Sequence, residues 1–503
     1  MLENTDSTDW LAARCQATPT RIALTFGETA WTFAELDALT NNLCNWVDQQ
    51  SHPQNRRIGV LMHNGPEYVL LIYAAARLGL TLVTFNSRLA PAEVEWQIGF
   101  TQCEFVVTDE ANQRTLSGVD AEMVFHMPTL NQLTQWLMGN GQWRIDNGEP
   151  APNPIQSIVF TSGTTGRPKA VPITFKQHFY SAMASAYRLG VQTDDVWLSV
   201  LPLYHVGGLA VIFRSLLYGT AVDLHVRFDL TAINHAFDHK LITMISVVPT
   251  MLVRMIESRE IWPDSLRLIL VGGAAASPEL VTAAGKLSKT NTPLISTSYG
   301  MTEVASQFST QTPADTAKKP GSVGRPFLFN QIKISDETGV AQRGGEIGEI
   351  QVKGVVLMQG YLDNPEANAE RFTTNGWFCT GDLGYFDEDG DLFVVQRRSD
   401  LILSGGENVY PAEVEAVLRQ HPAVKEACVV GLPDYEWGQI VAAMVELIPG
   451  RNLTENELIG FSQESLARYK TPRLIEFVSQ LPQTASGKIE RKQVLKLLSR
   501  NIS

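Results

Sequence analysis

Residues 161–170 read TSGTTGRPKA and follow directly on an apolar run, SIVF, at 157–160. A buried strand ending in a loop with two glycines, four hydroxyl side chains and a closing lysine gathers backbone N–H groups, hydroxyls and one cation around a single point. That set of donors suits a polyphosphate. The Walker loop is excluded, because its lysine follows glycine, whereas Pro168 precedes Lys169 here. A strand that delivers a phosphate loop predicts an α/β protein.

The alternation continues on both sides of this loop. Phe33, Leu36, Leu39 and Leu43 recur at helical spacing across 31–43, RIGVLM at 57–62 reads as a short buried strand, and 66–79 reads as a helix. β-branched or leucine-rich runs return at 105–108, 196–200, 221–224, 244–248 and 268–271, with helical segments between them. This predicts parallel sheets covered by helices. Beyond Gly321, short strands with Gly and Asp turns at 345–353, 381–386 and 391–395 predict a β-rich subdomain. The texture changes again near 397–400: a helix is expected at 412–419, strands at 426–431 and 439–447, and an amphipathic helix at 455–466. The expected division is a large N-terminal domain, 1–397, and a small α+β C-terminal domain, 398–503.

Composition excludes several classes. A chain of 503 residues, 44% apolar and 18% charged, folds into packed domains. Lys plus Arg number 40 against 53 Asp plus Glu, a net charge of −13, the wrong sign for a nucleic-acid partner. Only the C-terminal tail reverses it, with Lys488, Arg491, Lys492, Lys496 and Arg500 against Glu490. Five scattered cysteines with no Cys-x-x-Cys pair predict reduced thiols, not disulfides or a zinc cluster. Residues 1–10 are polar and acidic, unlike a leader peptide, and the longest apolar stretch, 69–83, is interrupted by Arg77. A cytoplasmic protein without a membrane span is therefore expected, and homo-oligomerisation is left open. Two further patterns are discounted. His235 and His239 lack the glutamate and third ligand of a metal site, and DEDGD at 387–391 has its glycine in the wrong place for a calcium loop and reads as a hairpin turn.

Four more strings follow the phosphate loop in order: YGMTE at 299–303, TGD at 380–382, RRSDLILSGGENVYPAEVE at 397–415 and QTASGKIER at 483–491. With TSGTTGRPKA they resemble the adenylate-forming superfamily of acyl-CoA synthetases, luciferases and peptide-synthetase adenylation domains. The resemblance implies a role for each station. ATP phosphates would lie on Thr161, Ser162, Gly163, Thr164, Thr165, Gly166 and Lys169. Adenine would stack on Tyr299 beside Gly272, Gly273 and Ala274. Thr302 and Glu303 would be catalytic, Glu303 as the Mg²⁺ ligand, while Asp382 and Arg397 would hold the ribose. Lys488 would bridge carboxylate and α-phosphate, an electrostatic clamp and not a general base. In this superfamily the small C-terminal domain rotates between two steps, formation of an acyl adenylate and its capture by a thiol. Gly405 and Gly406 would then leave room for the pantetheine of CoA. The hinge would fall at Ser399 or Asp400, with serine where many relatives are acidic.

Five other segments narrow the resemblance: FNSRLAPAEVEWQI (85–98), LPLYHVGGL (201–209), ISVVPTML (245–252), LVGGAA (270–275) and TSYGMTEVASQ (297–307). They are similar to the o-succinylbenzoate-CoA ligases of menaquinone and phylloquinone biosynthesis. Such an acid carries two carboxylates; one reacts and the other needs a cation or donors. The resemblance implies Arg88 for that carboxylate, Ser246 as a polar contact, Gly272 on the pocket edge and His205 as a gate. The chain departs from many relatives at Gly207, where they carry a serine. Another aryl or short-acyl CoA synthetase, or an adenylating enzyme that loads a carrier protein, would share the same stations.

Overall fold

The computed structural model describes residues 9–50, 56–139, 154–161, 168–289, 292–336, 338–342, 344–396, 401–482 and 489–501. The alternating segments build two sheets. In the first, Val124–His126, Phe105–Thr108, Arg57–Leu61, Thr81–Thr84, Ile155–Thr161 and Lys169–Thr174 lie side by side, parallel until the last pairing, which is antiparallel. Strands Phe105–Thr108 and Thr81–Thr84 are buried on both faces, which is why they read as apolar runs and not as alternation. In the second sheet a parallel run passes through Ile295–Met301, Leu268–Val271, Met244–Val247, Val196–Ser199, Ala221–Leu224 and Ile22–Phe26. Antiparallel strands close both of its edges.

The apolar stretch 69–83 splits between helix Pro66–Arg77 and strand Thr81–Thr84. Pro66 opens the helix at a position where its missing N–H costs nothing. Arg77 can sit there buried because Asp9, Asp37 and Asn41 all accept from its guanidinium. No helix among the described residues is long and apolar enough to cross a membrane.

The β-rich subdomain is the antiparallel sheet Asn330–Ser335, Gly348–Gly354, Phe378–Phe386 and Leu392–Gln396. DEDGD is the turn between its last two strands, and Lys319 Nζ lies 2.6 Å from Asp387, 2.6 Å from Asp389 and 2.8 Å from Asp391. A lysine thus fills the place a cation would take. The C-terminal unit is a mixed sheet of Glu407–Val409, Ile402–Ser404, Gly438–Leu447 and Val424–Asp434, with Leu474–Val478 parallel to Gly438–Leu447. Helix Arg491–Leu498 packs Val494 and Leu498 on one face of this sheet. Arg491, from the basic tail, is an internal tie and not part of a free patch: its Nη1 lies 2.6 Å from Glu415.

Candidate active site

Parallel strands leave their following loops along one edge, where open α/β sheets bind ligands. Here the loops after Thr81–Thr84, Val196–Ser199, Met244–Val247 and Leu268–Val271 open on one cavity of about 930 Å³, which the C-terminal unit closes from the other side.

At one end Gly272, Gly273, Ala274, Thr302, Glu303, Thr380 and Asp382 form the wall, with Thr161 and Pro168 beside them. Tyr299 sits behind this wall, 1% exposed, and its hydroxyl donates to Asp382 Oδ2 at 2.8 Å. In this arrangement it orients the aspartate. Lys169 is buried with Nζ 4.9 Å from the Tyr361 ring centre, and the Tyr361 hydroxyl donates to Glu303 Oε1 at 2.8 Å. The end of the phosphate loop and the expected metal ligand are therefore one connected chain. Ser162, Gly163, Thr164, Thr165, Gly166, Arg397, Ser399, Asp400 and Lys488 lie outside the described residues.

Among the described residues no three His, Cys, Asp or Glu side chains cluster as a metal cage. A single buried carboxylate beside a phosphate loop still fits Mg²⁺, which commonly takes one or two carboxylates and completes its shell with phosphate oxygens and water. His235 and His239 stack on each other on an exposed helix, with His239 Nδ1 2.9 Å from the His235 carbonyl.

From the C-terminal unit, Gly405 and Gly406 reach the cavity. Gly405 has φ +59°, and a Cβ there would lie 2.6 Å from the Trp437 ring, so the turn accepts glycine alone. The next residue, Glu407, is buried, with Arg88 Nη1 at 3.1 Å, His205 Nε2 at 3.0 Å and the Tyr204 hydroxyl at 3.3 Å. Burial alone would push this carboxyl up; His205 and Arg88 outweigh it and bring it down to about 2. Arg88 also lies over the Tyr469 ring, 5.0 Å from its centre.

The remaining end is formed by helix Val206–Tyr218 and the strand bearing Ser246. Trp197 Nε1 donates to Ser246 Oγ at 3.1 Å. A side chain at Gly207 would touch only Leu201 Cδ1, at 3.4 Å, so glycine is not enforced there and its effect is to widen the cavity. Arg214 lines the same end and is 2% exposed. It forms no ion pair among the described residues; Nη2 reaches Ser181 Oγ at 3.4 Å and Nε has no hydrogen-bond partner. Burial pulls its pKa down. His178 nearby is buried too; burial first and then the charge of Arg214 pull it down to about 3, so it is neutral.

Sequence reasoning singled out neither Arg214 nor Glu407. One charge in the otherwise apolar helix LAVIFRSLLY was the available sign of the first, and the position after Gly405 and Gly406 that of the second.

A site with these parts defines a class. The AMP-binding enzyme family matches residues 11–362, and the AMP-binding enzyme C-terminal domain matches 413–488; this chain belongs to that family. It is 41% identical to the 2-succinylbenzoate--CoA ligase of Bacillus pumilus over 487 residues, covering 97% of each chain. Two solved structures of o-succinylbenzoate CoA synthetase (MenE) from Bacillus subtilis are similar to it. A double mutant bound to its product analogue OSB-NCoA superposes with a TM-score of 0.88 at 38% identity, covering 97% of this chain and 98% of that one. The complex with ATP and magnesium ion superposes at 0.71 and 37% identity, covering 97% and 99%.

Proposed function

We propose that this protein joins 2-succinylbenzoate to CoA at the expense of ATP, through an acyl adenylate, in quinone biosynthesis. The relatives support the reaction, and Arg214 is the observation within the chain that carries the choice of acid. A guanidinium buried without a counter-anion is costly, by several kcal/mol in general. A ligand that brings its own buried carboxylate removes that cost. The acid has two carboxylates; the aliphatic one reacts, and the ring carboxylate is assigned to Arg214, with Ser246 beside it. Arg88, the cation expected for this task from sequence, is engaged by Glu407. Arg214 is therefore preferred.

In the first step a carboxylate oxygen bonds to the α-phosphorus and the bond to pyrophosphate breaks. Asp382 is assigned the ribose hydroxyls, with Tyr299 orienting it from behind instead of stacking on adenine as expected from sequence; Gly272, Gly273 and Ala274 are assigned the adenine end, and Thr161, Lys169 and the intervening loop the phosphates. Glu303 would hold Mg²⁺, with Thr302 beside it; the ion, when bound, neutralises phosphate charge. Lys488 and Arg397 keep the roles implied by resemblance, as does a division near residue 398. In the second step the thiol sulfur of CoA bonds to the carbonyl carbon, the carbon–oxygen bond to AMP breaks, and the thiol proton is released. Gly405 and Gly406 form the pantetheine wall, with His205 as the gate held by Glu407.

The test is pyrophosphate release with MgATP over a panel of carboxylates, with mass detection of the thioester. Turnover of 2-succinylbenzoate well above 4-oxo-4-phenylbutanoate, which lacks the ring carboxylate, is expected. Preference for the monocarboxylate would overturn the choice of acid and leave the two-step chemistry standing.

A further inference from the structure

One buried group of charges has no place in the chemistry above. Lys470, 3% exposed, puts Nζ 2.5 Å from Glu93 Oε1 and 2.7 Å from Glu413 Oε1. Lys470 and Glu413 belong to the C-terminal unit, whereas Glu93 stands in the first turn of helix Pro91–Thr101, in the large unit. The second oxygen of Glu93 accepts from the Ala467 backbone N–H at 2.8 Å and from that of Ala90 at 2.9 Å. One carboxylate thus caps its own helix and takes two donors from the other unit.

The charges do not balance locally. Two carboxylates face one ammonium, and Glu413 Oε2 has no hydrogen-bond partner among the described residues. Lys470 and Glu413 are already a neutral pair within the C-terminal unit, so Glu93 is the member that arrives only when the units meet in this arrangement. That arrangement superposes at 0.88 on a relative bound to a CoA product analogue and at 0.71 on the same enzyme bound to ATP. A charge-assisted contact between units, shielded from water, is strong where it forms and is lost completely when they part.

We propose that Glu93, with Lys470 and the Ala467 amide, is a latch that holds the thioester-forming arrangement. Glu93 is then a positioning residue for the second step alone, an inference that rests on the two-step reading above. The test separates the half-reactions in the full chain. Glu93→Gln keeps an acceptor for the helix cap and loses the ion pair; Glu93→Ala loses both. Pyrophosphate release without CoA should stay within about twofold in either variant, and thioester formation from supplied acyl adenylate and CoA should fall about tenfold in Glu93→Gln and further in Glu93→Ala. Hydrogen exchange at the Ala467 amide, read without any acid, should speed up in both. Equal loss in the two steps, an unaffected second step, or unchanged exchange at Ala467 would each overturn the latch. If the unaltered protein activates no carboxylate, the functional reading fails, and exchange at Ala467 still decides whether the contact holds the units together.

Discussion

At the end of the cavity formed by helix Val206–Tyr218 the Arg214 guanidinium is buried without an ion pair among the described residues; at the seam between the two units, two described carboxylates face the one ammonium of Lys470. Both are unbalanced buried charges, and they are unbalanced for different reasons. Arg214 stands on helix Val206–Tyr218, which gives Leu209, Ile212 and Phe213 to the buried core, and no described residue forms an ion pair with it. In the proposed reaction a ligand supplies the missing anion. The seam acquires its extra carboxylate from the chain itself, when Glu93 meets Lys470. If both proposals hold, charge imbalance inside one unit marks a substrate site, and imbalance between units marks an arrangement.

The largest expected effect tests the first half of that contrast. Arg214→Met keeps volume and removes the cation; kcat/KM for 2-succinylbenzoate should fall about 100- to 1,000-fold, while 4-oxo-4-phenylbutanoate changes less than about threefold. Equal losses for both acids in steady-state assays would make Arg214 a structural residue and erase the distinction. Gly405→Ala addresses the seam. With φ at +59° and the Trp437 ring 2.6 Å from a new Cβ, the loop cannot keep its place on the cavity wall. Thioester formation should drop about tenfold in stopped-flow assays with supplied adenylate while pyrophosphate release is spared.

The smallest effect concerns pH. Burial raises Glu413 above its ordinary value, Lys470 opposes the rise, and the charge of Glu93 adds to it. Glu93 comes from the other unit, so its part of the rise belongs to the closed arrangement alone; protonation of Glu413 therefore favours closing, and that advantage is lost as pH climbs through the raised value. The second step should slow by no more than about threefold as pH rises above the ordinary carboxylate range, and Glu413→Gln should flatten that slope. A steeper slope in the variant would mean that the seam is balanced by some other group.

Much of the fold was legible because its strands are short apolar runs with little ambiguity. Arg57–Leu61, Phe105–Thr108, Ala221–Leu224 and Leu268–Val271 fall where the sequence predicts strands, and the hairpin at DEDGD and the strand at Gly438–Leu447 follow the same logic. Helix Phe33–Gln50 extends beyond the expected 31–43 because Cys44 and Val47 continue its buried face. Part of the cavity wall was legible as well: Gly272, Gly273, Ala274, Thr302, Glu303 and Asp382 stand in local strings singled out from sequence, and all of them line it. Glu303 and Asp382 were expected to contact ligand directly; what spacing could not convey is that Tyr361 and Tyr299 hold them from behind.

Other parts could not be read from order along the chain. Arg88 and Glu407 are 319 residues apart, and Glu93 and Lys470 are 377 apart. No local pattern encodes such pairs. By itself the sequence determined the alternation of strands and helices and the glycine turn at 405–406, because each depends on the backbone and on near neighbours. Only the tertiary structure decided that Arg214 has no anion among the described residues, that Arg88 has one, and that Glu93 contacts both units. Whether a buried charge is balanced depends on which distant residues the packed sheets bring within about 3 Å of it, and that is a property of the assembled fold.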